Sequence, residues 1–264
     1  MKIITLVENT SKTACKAKHG LSLYIETPLH KLLFDVGPDD TFIKNAVACG
    51  VYLTEVDTVV ISHGHYDHGG GLGAFLEVNS TAQVYIQRGA FAPHYNRTGL
   101  LKLPIGINPK LMQHPQVHLL DGDSVIDEEL SVFTVSDTSK CRSPMNDVLL
   151  DENGKDSFAH EQNLVIHTDP VVLITGCGHT GIVNIMEKAT PLHPAVCIGG
   201  FHLFNPALRK TAPDALISEI ADVLMGYSET VFYTCHCTGE KAFRLLSQKA
   251  GNVRYLACGD VLTI

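Results

Sequence analysis

Residues 59–71 read Val-Val-Ile-Ser-His-Gly-His-Tyr-Asp-His-Gly-Gly-Gly. The apolar, β-branched start is typical of a buried strand, and the closing glycines permit a tight turn. Between them, three imidazoles and one carboxylate fall within six residues, at His63, His65, Asp67 and His68. Imidazole and carboxylate are the usual protein ligands of zinc, iron and manganese. The stretch therefore predicts a metal site at the end of a strand.

The spacing within this stretch indicates two ions. His63 and His65 are two positions apart, so an extended backbone places both side chains on the same side. Asp67 and His68 follow after the chain turns. Four ligands so close in sequence do not readily close one tetrahedron. Two neighbouring ions, each bound by two residues of the stretch, are the more natural arrangement, and further ligands must come from elsewhere in the chain.

Three more histidines follow apolar segments that are predicted as strands. They lie in the motifs Gly176-Cys177-Gly178-His179, Gly199-Gly200-Phe201-His202 and Thr234-Cys235-His236-Cys237. Glycines permit the tight turns that bring a side chain to a ligand. We therefore predict His179 and His236 as metal ligands, and His202 as a residue that contacts substrate or supports a ligand.

Several neighbouring residues remain open at this stage. Cys177 stands beside His179, and His160 with Glu161 precedes another predicted strand; each is a candidate to join the site. Cys235 and Cys237 are predicted to be thiols of the core or of the surroundings of the site, since they would point away from His236 in an extended chain. Residues that could meet an anionic substrate, or be solvated, are His94, Tyr95, Arg97, Lys102, Lys140 and Arg142.

Composition narrows the class of protein. The chain has 264 residues, of which 45% are hydrophobic, as in globular proteins. Its net charge of −8 argues against nucleic-acid binding that depends on Lys and Arg. It contains no apolar run long enough to span a membrane, its first eight residues lack the apolar core of a signal peptide and favour a first strand, and its eight cysteines form no CxxC pair. We expect a cytoplasmic protein with reduced thiols.

The order of predicted elements is mixed. Strands are predicted over residues 2–7, 22–26, 31–35, 58–62, 83–87, 117–120, 131–135, 163–167, 171–175, 195–198, 231–234 and 253–257, and helices over 41–49, 72–77, 181–189, 213–225 and 240–250. Residues 95–116 are predicted as a long loop, and 136–160 as irregular. This order favours an α/β fold with two packed sheets covered by helices, in one domain spanning residues 1–264.

The motif His63-x-His65-x-Asp67-His68, together with the motifs at 176–185, 199–203 and 235–239, resembles the metallo-β-lactamase superfamily. The resemblance is to the branch of dihydropterin-6-yl-methyl-(ribofuranosyl)aminobenzene-phosphate synthase and its bacterial metal-dependent hydrolase relatives. It implies a four-layered αββα sandwich of two mixed sheets with the metal site at one edge. It also implies two divalent ions, zinc first with iron or manganese as alternatives. His63, His65 and His179 would bind one ion, and Asp67, His68 and His236 the other. Cys177 stands where much of the superfamily has a bridging Asp.

The resemblance leads to three functional hypotheses. The first is a hydrolase of a small molecule, such as a phosphoester, ester or lactone, with Asp67 orienting the attacking water or accepting its proton and His202 donating to a developing oxyanion or a phosphate. The second is a transferase that joins a dihydropterin methyl group to a ribosylated aminobenzene with loss of diphosphate. The third is a non-enzymatic metal-binding protein. The sequence does not indicate the oligomeric state.

Overall fold

The computed structural model describes residues 1–264, and its secondary structure is dominated by short strands. The strands are β1 Lys2–Val7, β2 Ser22–Glu26, β3 Lys31–Phe34, β4 Thr58–Val60, β5 Gln83–Gln87, β6 Tyr95–Thr98, β7 Leu101–Pro104, β8 Val117–Leu120, β9 Ser124–Val125, β10 Leu130–Thr134, β11 Leu149–Leu150, β12 Gln162–Ile166, β13 Val172–Ile174, β14 Val196–Gly199, β15 Phe204–Asn205, β16 Lys210–Thr211, β17 Val231–Thr234, β18 Val253–Tyr255 and β19 Val261–Thr263.

Six α-helices and six 3₁₀ turns connect these strands. The helices are α1 Thr41–Ala48, α2 Tyr66–Gly69, α3 Leu72–Val78, α4 Ile182–Ala189, α5 Asp214–Gly226 and α6 Glu240–Lys249. The 3₁₀ turns are Leu53–Glu55, Arg88–Phe91, Pro109–Gln113, Pro144–Val148, Thr190–Leu192 and His236–Thr238. None of the helices has the length and apolar character needed to cross a bilayer.

Two seven-stranded sheets carry the fold. The first has the order β19-β1-β2-β3-β4-β5-β8, and the second the order β18-β17-β14-β13-β12-β10-β9. Both sheets are mixed. In the first, β1 to β3 are antiparallel while β3, β4, β5 and β8 run parallel. In the second, β10, β12 and β13 are antiparallel, and β13, β14, β17 and β18 are parallel.

Three separate apolar clusters divide the structure into layers. One cluster lies between the sheets and includes Phe34 and Val60 of the first sheet with Leu164 and Ile174 of the second. A second cluster lies between the first sheet and helices α1 and α3, and a third lies between the second sheet and helices α4, α5 and α6. Three buried interfaces separate four layers, so the predicted αββα sandwich is confirmed.

Helix positions follow the apolar periodicity of the sequence. Helix α5 buries Ile217, Ile220, Ala221 and Leu224, a spacing of three, four and seven residues that forms one stripe. The five predicted helices are all present with ends within about two residues, which is the ordinary uncertainty of helix ends.

The prediction of an irregular loop over residues 95–116 was wrong in part. Strands β6 and β7 form a hairpin there, with Tyr95 opposite Pro104 and Thr98 opposite Leu101. Strand β11 adds to its edge, pairing Leu150 with Tyr95. The hairpin was missed because its strands expose both faces in places, so no alternation of apolar and polar residues marks them.

Candidate metal centre

The metal-binding candidates gather at one edge of the sandwich because of strand direction. Strands β13, β14 and β17 are parallel neighbours, so the loops that follow them leave the sheet at the same edge. These loops carry His179, His202 and His236. The loop after β4 brings residues 63–68 to the same place. At Gly176 a Cβ would lie 2.2 Å from Ser62 Oγ, so this close approach of the two loops requires glycine.

One group of imidazoles is formed by His63, His65 and His179. Their ring nitrogens lie within 4.8 Å of one another, and His63 Nε2 is 3.1 Å from His65 Nδ1. All three residues are buried. Nε2 of His65 and Nε2 of His179 have no hydrogen-bond partner. We refer to this group as the first position.

A second group is formed by Asp67, His68 and His236. Nε2 of His236 is 3.2 Å from His68 Nε2 and 3.3 Å from Asp67 Oδ2, while His68 Nε2 and Asp67 Oδ2 are 4.0 Å apart. We refer to this group as the second position. The structure thus brings together all six residues predicted as ligands. His68 also lies in a group with His63 and Cys177, whose ligand atoms are within 4.8 Å of one another.

Four oxygen atoms outside these groups fix the imidazole rings. Asp35 Oδ2 accepts from His68 Nδ1 (2.6 Å), Asn146 Oδ1 accepts from His179 Nδ1 (2.9 Å), and Asn9 Oδ1 accepts from His236 Nδ1 (2.9 Å). Ser62 Oγ lies 2.9 Å from His63 Nδ1. A proton on Nδ1 leaves the Nε2 lone pair free, which is how metal-binding histidines are oriented.

Sequence reasoning missed these orienting residues, apart from Ser62 as part of the motif. Asp35 is fully buried and also accepts from the Ser62 N–H (2.7 Å) and the Ser62 hydroxyl (2.7 Å). A polar residue at the end of the apolar strand β3 was the available signal. Asn9 and Asn146 lie in loops, where an asparagine has many other uses.

The protonation states suit a metal site. Burial holds the pKa values of His63, His65 and His179 well below the ordinary value for imidazole, and neighbouring imidazoles lower them further. These rings are therefore neutral, the form that binds metals. Burial would also lower the pKa of His68, but the carboxylates of Asp35 and Asp67 outweigh burial and raise it.

Asp67 stays ionised at this site. Burial alone would raise the pKa of its carboxyl, but the imidazoles of His68, His19 and His236 outweigh burial and hold the pKa well below the ordinary value. Its Oδ2 lies 3.2 Å from Nε2 of His19, a histidine that sequence reasoning did not select. An ionised carboxylate among imidazoles is suited to bind a cation.

His202 borders the first position. Its ring centroid is 4.1 Å from that of His179, the residue is buried, and neither ring nitrogen has a hydrogen-bond partner. Its carbonyl accepts from the Ser143 hydroxyl (2.6 Å), and its N–H donates to Cys237 Sγ (3.3 Å). The backbone is thereby fixed while both ring nitrogens stay available.

The three cysteines near the site differ in what their thiols contact. Cys177 Sγ lies 3.1 Å from His68 Nε2, and burial raises the pKa of this thiol. Cys237 Sγ lies within 4.8 Å of Cys177 Sγ and a ring nitrogen of His236, so it borders the site. Cys235 packs in the cluster between the sheets, as predicted for a core thiol.

His160 and Glu161 accept hydrogen bonds from the backbone of the site loops, and neither residue lines the cavity. His160 Nδ1 accepts from the Gly64 N–H (3.1 Å), and Glu161 accepts from the backbone N–H groups of His179 (2.7 Å) and Thr180 (2.8 Å). Both side chains thus hold backbone of the loops that carry His63, His65 and His179. A bond of this kind leaves His160 Nδ1 unable to bind an ion.

A cavity of about 330 Å³ opens onto both positions. His65, Asp67, His179 and His236 lie on its lining, and its apolar wall is formed by Leu103, Ile105, Leu149, Phe204, Pro206 and Ala207. The wall comes largely from the hairpin β6–β7 and from residues 204–207. No lysine or arginine lines the cavity.

None of the residues considered for an anionic substrate lines this cavity, and the alternative of a solvated side chain fits Arg97 and Lys102. His94 is buried, and its Nδ1 lies 2.9 Å from Asp156 Oδ2. Arg142 and Lys140 pair with Asp147 and Glu187. The hairpin that carries Arg97 and Lys102 turns these cations outward to solvent, while Leu103 faces the cavity.

The fold and the clustered imidazoles define a class of protein. The family model of the metallo-beta-lactamase superfamily matches residues 16–202, and the chain belongs to this superfamily, whose members typically bind divalent metal ions.

Three relatives are similar to this chain over nearly its whole length. The chain is 27% identical to the Methanocaldococcus jannaschii protein MJ0448, over 98% of each chain. It is 25% identical to the 7,8-dihydropterin-6-methyl-4-(beta-D-ribofuranosyl)-aminobenzene-5'-phosphate synthase of the same organism, over 94% of this chain and 91% of the synthase. The third is Tm1679, a metal-dependent hydrolase of the beta-lactamase superfamily, whose sequence is 26% identical to this chain. Its crystal structure superposes on this chain with a TM-score of 0.84, and the match covers 100% of this chain and 99% of Tm1679.

Proposed function

We propose that this protein is a metal-dependent hydrolase of a small molecule and that it uses two divalent ions. The observation that carries this proposal is the convergence of five neighbouring imidazoles and one carboxylate at the base of a cavity, whose lining includes four of these six residues, His65, Asp67, His179 and His236. His63, His65 and His179 would hold one ion, and Asp67, His68 and His236 the other. Buried imidazole nitrogens without partners, at His65 and His179, fit a site that binds cations.

When bound, two ions in such a site would supply Lewis-acid chemistry, namely a more acidic water at neutral pH and stabilisation of charge on the oxygens of the bond that breaks. The side chains of the protein would orient the water and the substrate. Asp67 stays ionised at the floor of the cavity, where it can orient the attacking water. His202 presents two free ring nitrogens to the cavity, so it can donate a hydrogen bond to an oxygen on which charge develops. Both roles are proposals for these residues.

The apolar wall indicates what kind of substrate enters. At about 330 Å³, the cavity is near the lower end of ligand sites, which range from about 300 to 1,000 Å³. It fits one small molecule with an apolar body and a single group that faces the metal positions. A phosphoester, an ester or a lactone has that form.

The transferase is a second candidate because one relative carries the name of a synthase. That reaction joins two substrates and releases diphosphate. The cavity has no lysine or arginine to bind the phosphate groups outside the metal positions, and its volume suits one substrate better than two. These two observations favour hydrolysis.

One experiment separates these functions. Protein loaded with zinc, iron or manganese is assayed with p-nitrophenyl phosphate, bis-p-nitrophenyl phosphate, a p-nitrophenyl ester and a lactone. The same samples are assayed for diphosphate release from the dihydropterin methyl diphosphate with the ribosylated aminobenzene. We expect hydrolysis that is lost in metal-free protein and in His65→Ala. It should be retained in His118→Gln, because the His118 side chain is exposed on strand β8 and does not line the cavity. Diphosphate release without hydrolysis would establish the transferase, and metal binding without either activity would leave a binding protein.

A further inference from the structure

His19 lies at the second position although no motif contains it. It belongs to the loop between β1 and β2, far in sequence from the other residues of the site. Its Nε2 is 3.2 Å from Asp67 Oδ2, and its ring centroid is 4.8 Å from that of His236. Ligand atoms of His19, Asp67 and His236 all lie within 4.8 Å of one another.

The backbone holds His19 in this place. Gly20, the next residue, has φ +144°, and a Cβ there would lie 2.4 Å from the Asp67 carbonyl oxygen. The Leu21 N–H donates to that same carbonyl (3.2 Å). The Gly20 N–H donates to Asn9 Oδ1 (3.3 Å), the atom that also accepts from His236 Nδ1 (2.9 Å). Residues 19–21 are thus fastened to the same groups that set Asp67 and His236.

Three donor separations around Asp67 and His236 match a coordination shell. Donor atoms bound tetrahedrally to zinc at about 2.0–2.1 Å are about 3.3–3.4 Å from each other. The distance from Asp67 Oδ2 is 3.2 Å to His19 Nε2 and 3.3 Å to His236 Nε2. The distance from His236 Nε2 to His68 Nε2 is 3.2 Å. The longer separation of 4.0 Å, between Asp67 and His68, is the only one of these that departs from the tetrahedral value by more than a few tenths of an ångström.

We propose that His19 is a protein ligand of the ion at the second position, together with Asp67, His68 and His236. This inference rests on the proposed metal centre. It makes the two positions unequal, because the second receives four side chains from these residues while the first receives three. Sites with four protein ligands are closed, whereas sites with three keep a place for water or substrate. Substrate would then meet the ion at the first position, beside His202.

The alternative is that His19 only donates a hydrogen bond to Asp67. The variant His19→Gln distinguishes the two roles, since the glutamine amide can donate that bond but binds metals poorly. His19 is partly exposed, so the substitution is compatible with folding, which circular dichroism checks. His118→Gln is the matched control, as a histidine with an exposed side-chain contact outside the site.

The test measures metal binding directly. Zinc affinities of wild type, His19→Gln, His19→Ala and His118→Gln are obtained by chelator competition, and the cobalt-loaded proteins are compared by visible absorption, which reports coordination number. We expect both His19 variants to bind one of the two equivalents about 100-fold or more less tightly than the wild type does, above the usual effect of an orienting residue. The cobalt spectrum at that equivalent should also change. Wild-type affinity and spectrum in His19→Gln would refute a ligand role. Failure of the wild type to bind two equivalents would instead overturn the proposed metal centre itself.

Discussion

Asp35 offers a sharp test of how the site is organised, because its carboxylate orients His68 without facing the cavity. The perturbation is Asp35→Asn, which keeps the size and shape of the side chain. Asp35 has φ 59°, in the left-handed region that Asp and Asn both tolerate. The substitution therefore leaves the backbone unstrained and changes only charge and hydrogen bonding.

The expected effect on stability follows from three hydrogen bonds. Oδ1 accepts from the Ser62 N–H, and Oδ2 accepts from the Ser62 hydroxyl and from His68 Nδ1. The asparagine oxygen can keep the first bond. The other two change from bonds to a charged group, worth about 1.5–3 kcal/mol each, to neutral bonds worth about 0.5–1.5 kcal/mol. The free energy of unfolding of the metal-free protein should fall by about 2 kcal/mol.

Asp35→Asn should also weaken metal binding, and mainly at the second position. An asparagine NH₂ facing His68 Nδ1 requires that nitrogen to accept, which moves the imidazole proton to Nε2. Nε2 is the nitrogen that faces His236, so the ring would no longer present a lone pair to the second position. Loss of such an orienting partner weakens metal binding by about 10–100-fold. The first position should be affected less, because Asp35 reaches it only through the Ser62 hydroxyl, which lies 2.9 Å from His63 Nδ1.

The assays are urea denaturation of metal-free protein and chelator competition for each equivalent of zinc. Asp57→Asn is the matched control, because Asp57 also contacts a histidine Nδ1, that of His30, at 2.8 Å but lies outside the site. An exposed pair of this kind is worth about 0–1 kcal/mol, and its loss should leave metal binding unchanged. If Asp35→Asn bound both equivalents like the wild type, the tautomer argument would be wrong.

Three further predictions follow from the same geometry. His65→Ala should lose one equivalent of metal together with hydrolytic activity, as measured by elemental analysis and the ester assays; activity with only the second position filled would contradict the assigned roles. Asn146→Ala removes two buried hydrogen bonds to His179, so the free energy of unfolding should fall by about 2 kcal/mol. Metal binding at the first position should weaken about 10–100-fold, and binding at the second position should be unaffected. Metal-free protein should lose stability on acidification from pH 7.5 to 5.5. His63, His65 and His179 have folded pKa values well below the ordinary 6.5, so the unfolded chain binds protons first, and each ring contributes a loss of about 1.4 kcal/mol. His68, whose folded pKa is raised, offsets part of this loss, because its contribution is present at low pH and fades as pH rises. Equal or greater stability at pH 5.5 in urea titrations would contradict this assignment.

Much of the fold could be predicted because apolar segments carry their own periodicity. Strands β1, β2, β5, β8 and β17 have the predicted ends, since each is rich in the apolar and β-branched residues that favour strands. Helix α5 shows its buried stripe in sequence. The short strands of residues 95–104, 204–205 and 210–211 had no such signal, because their pairing partners, and not their own composition, make them strands.

The sequence by itself determined the chemistry of the site. A run of three histidines and an aspartate after a strand, with a glycine-rich turn beyond it, predicts metal ligands from residue type and spacing. The recurrence of strand, loop and histidine at residues 179 and 236 added the remaining predicted ligands, because parallel strands end at one edge of a sheet.

Only the tertiary structure decided which other groups serve those ligands. Asp35, Asn9, Asn146 and His19 come from loops and strand ends that share no motif with residues 63–68, and none of them has a composition that marks it as functional. Their roles depend on distances of about 3 Å between atoms that are far apart along the chain. Such distances are set by how the two sheets pack and by how the loops at their edge close, and hydrogen bonds act only over that range.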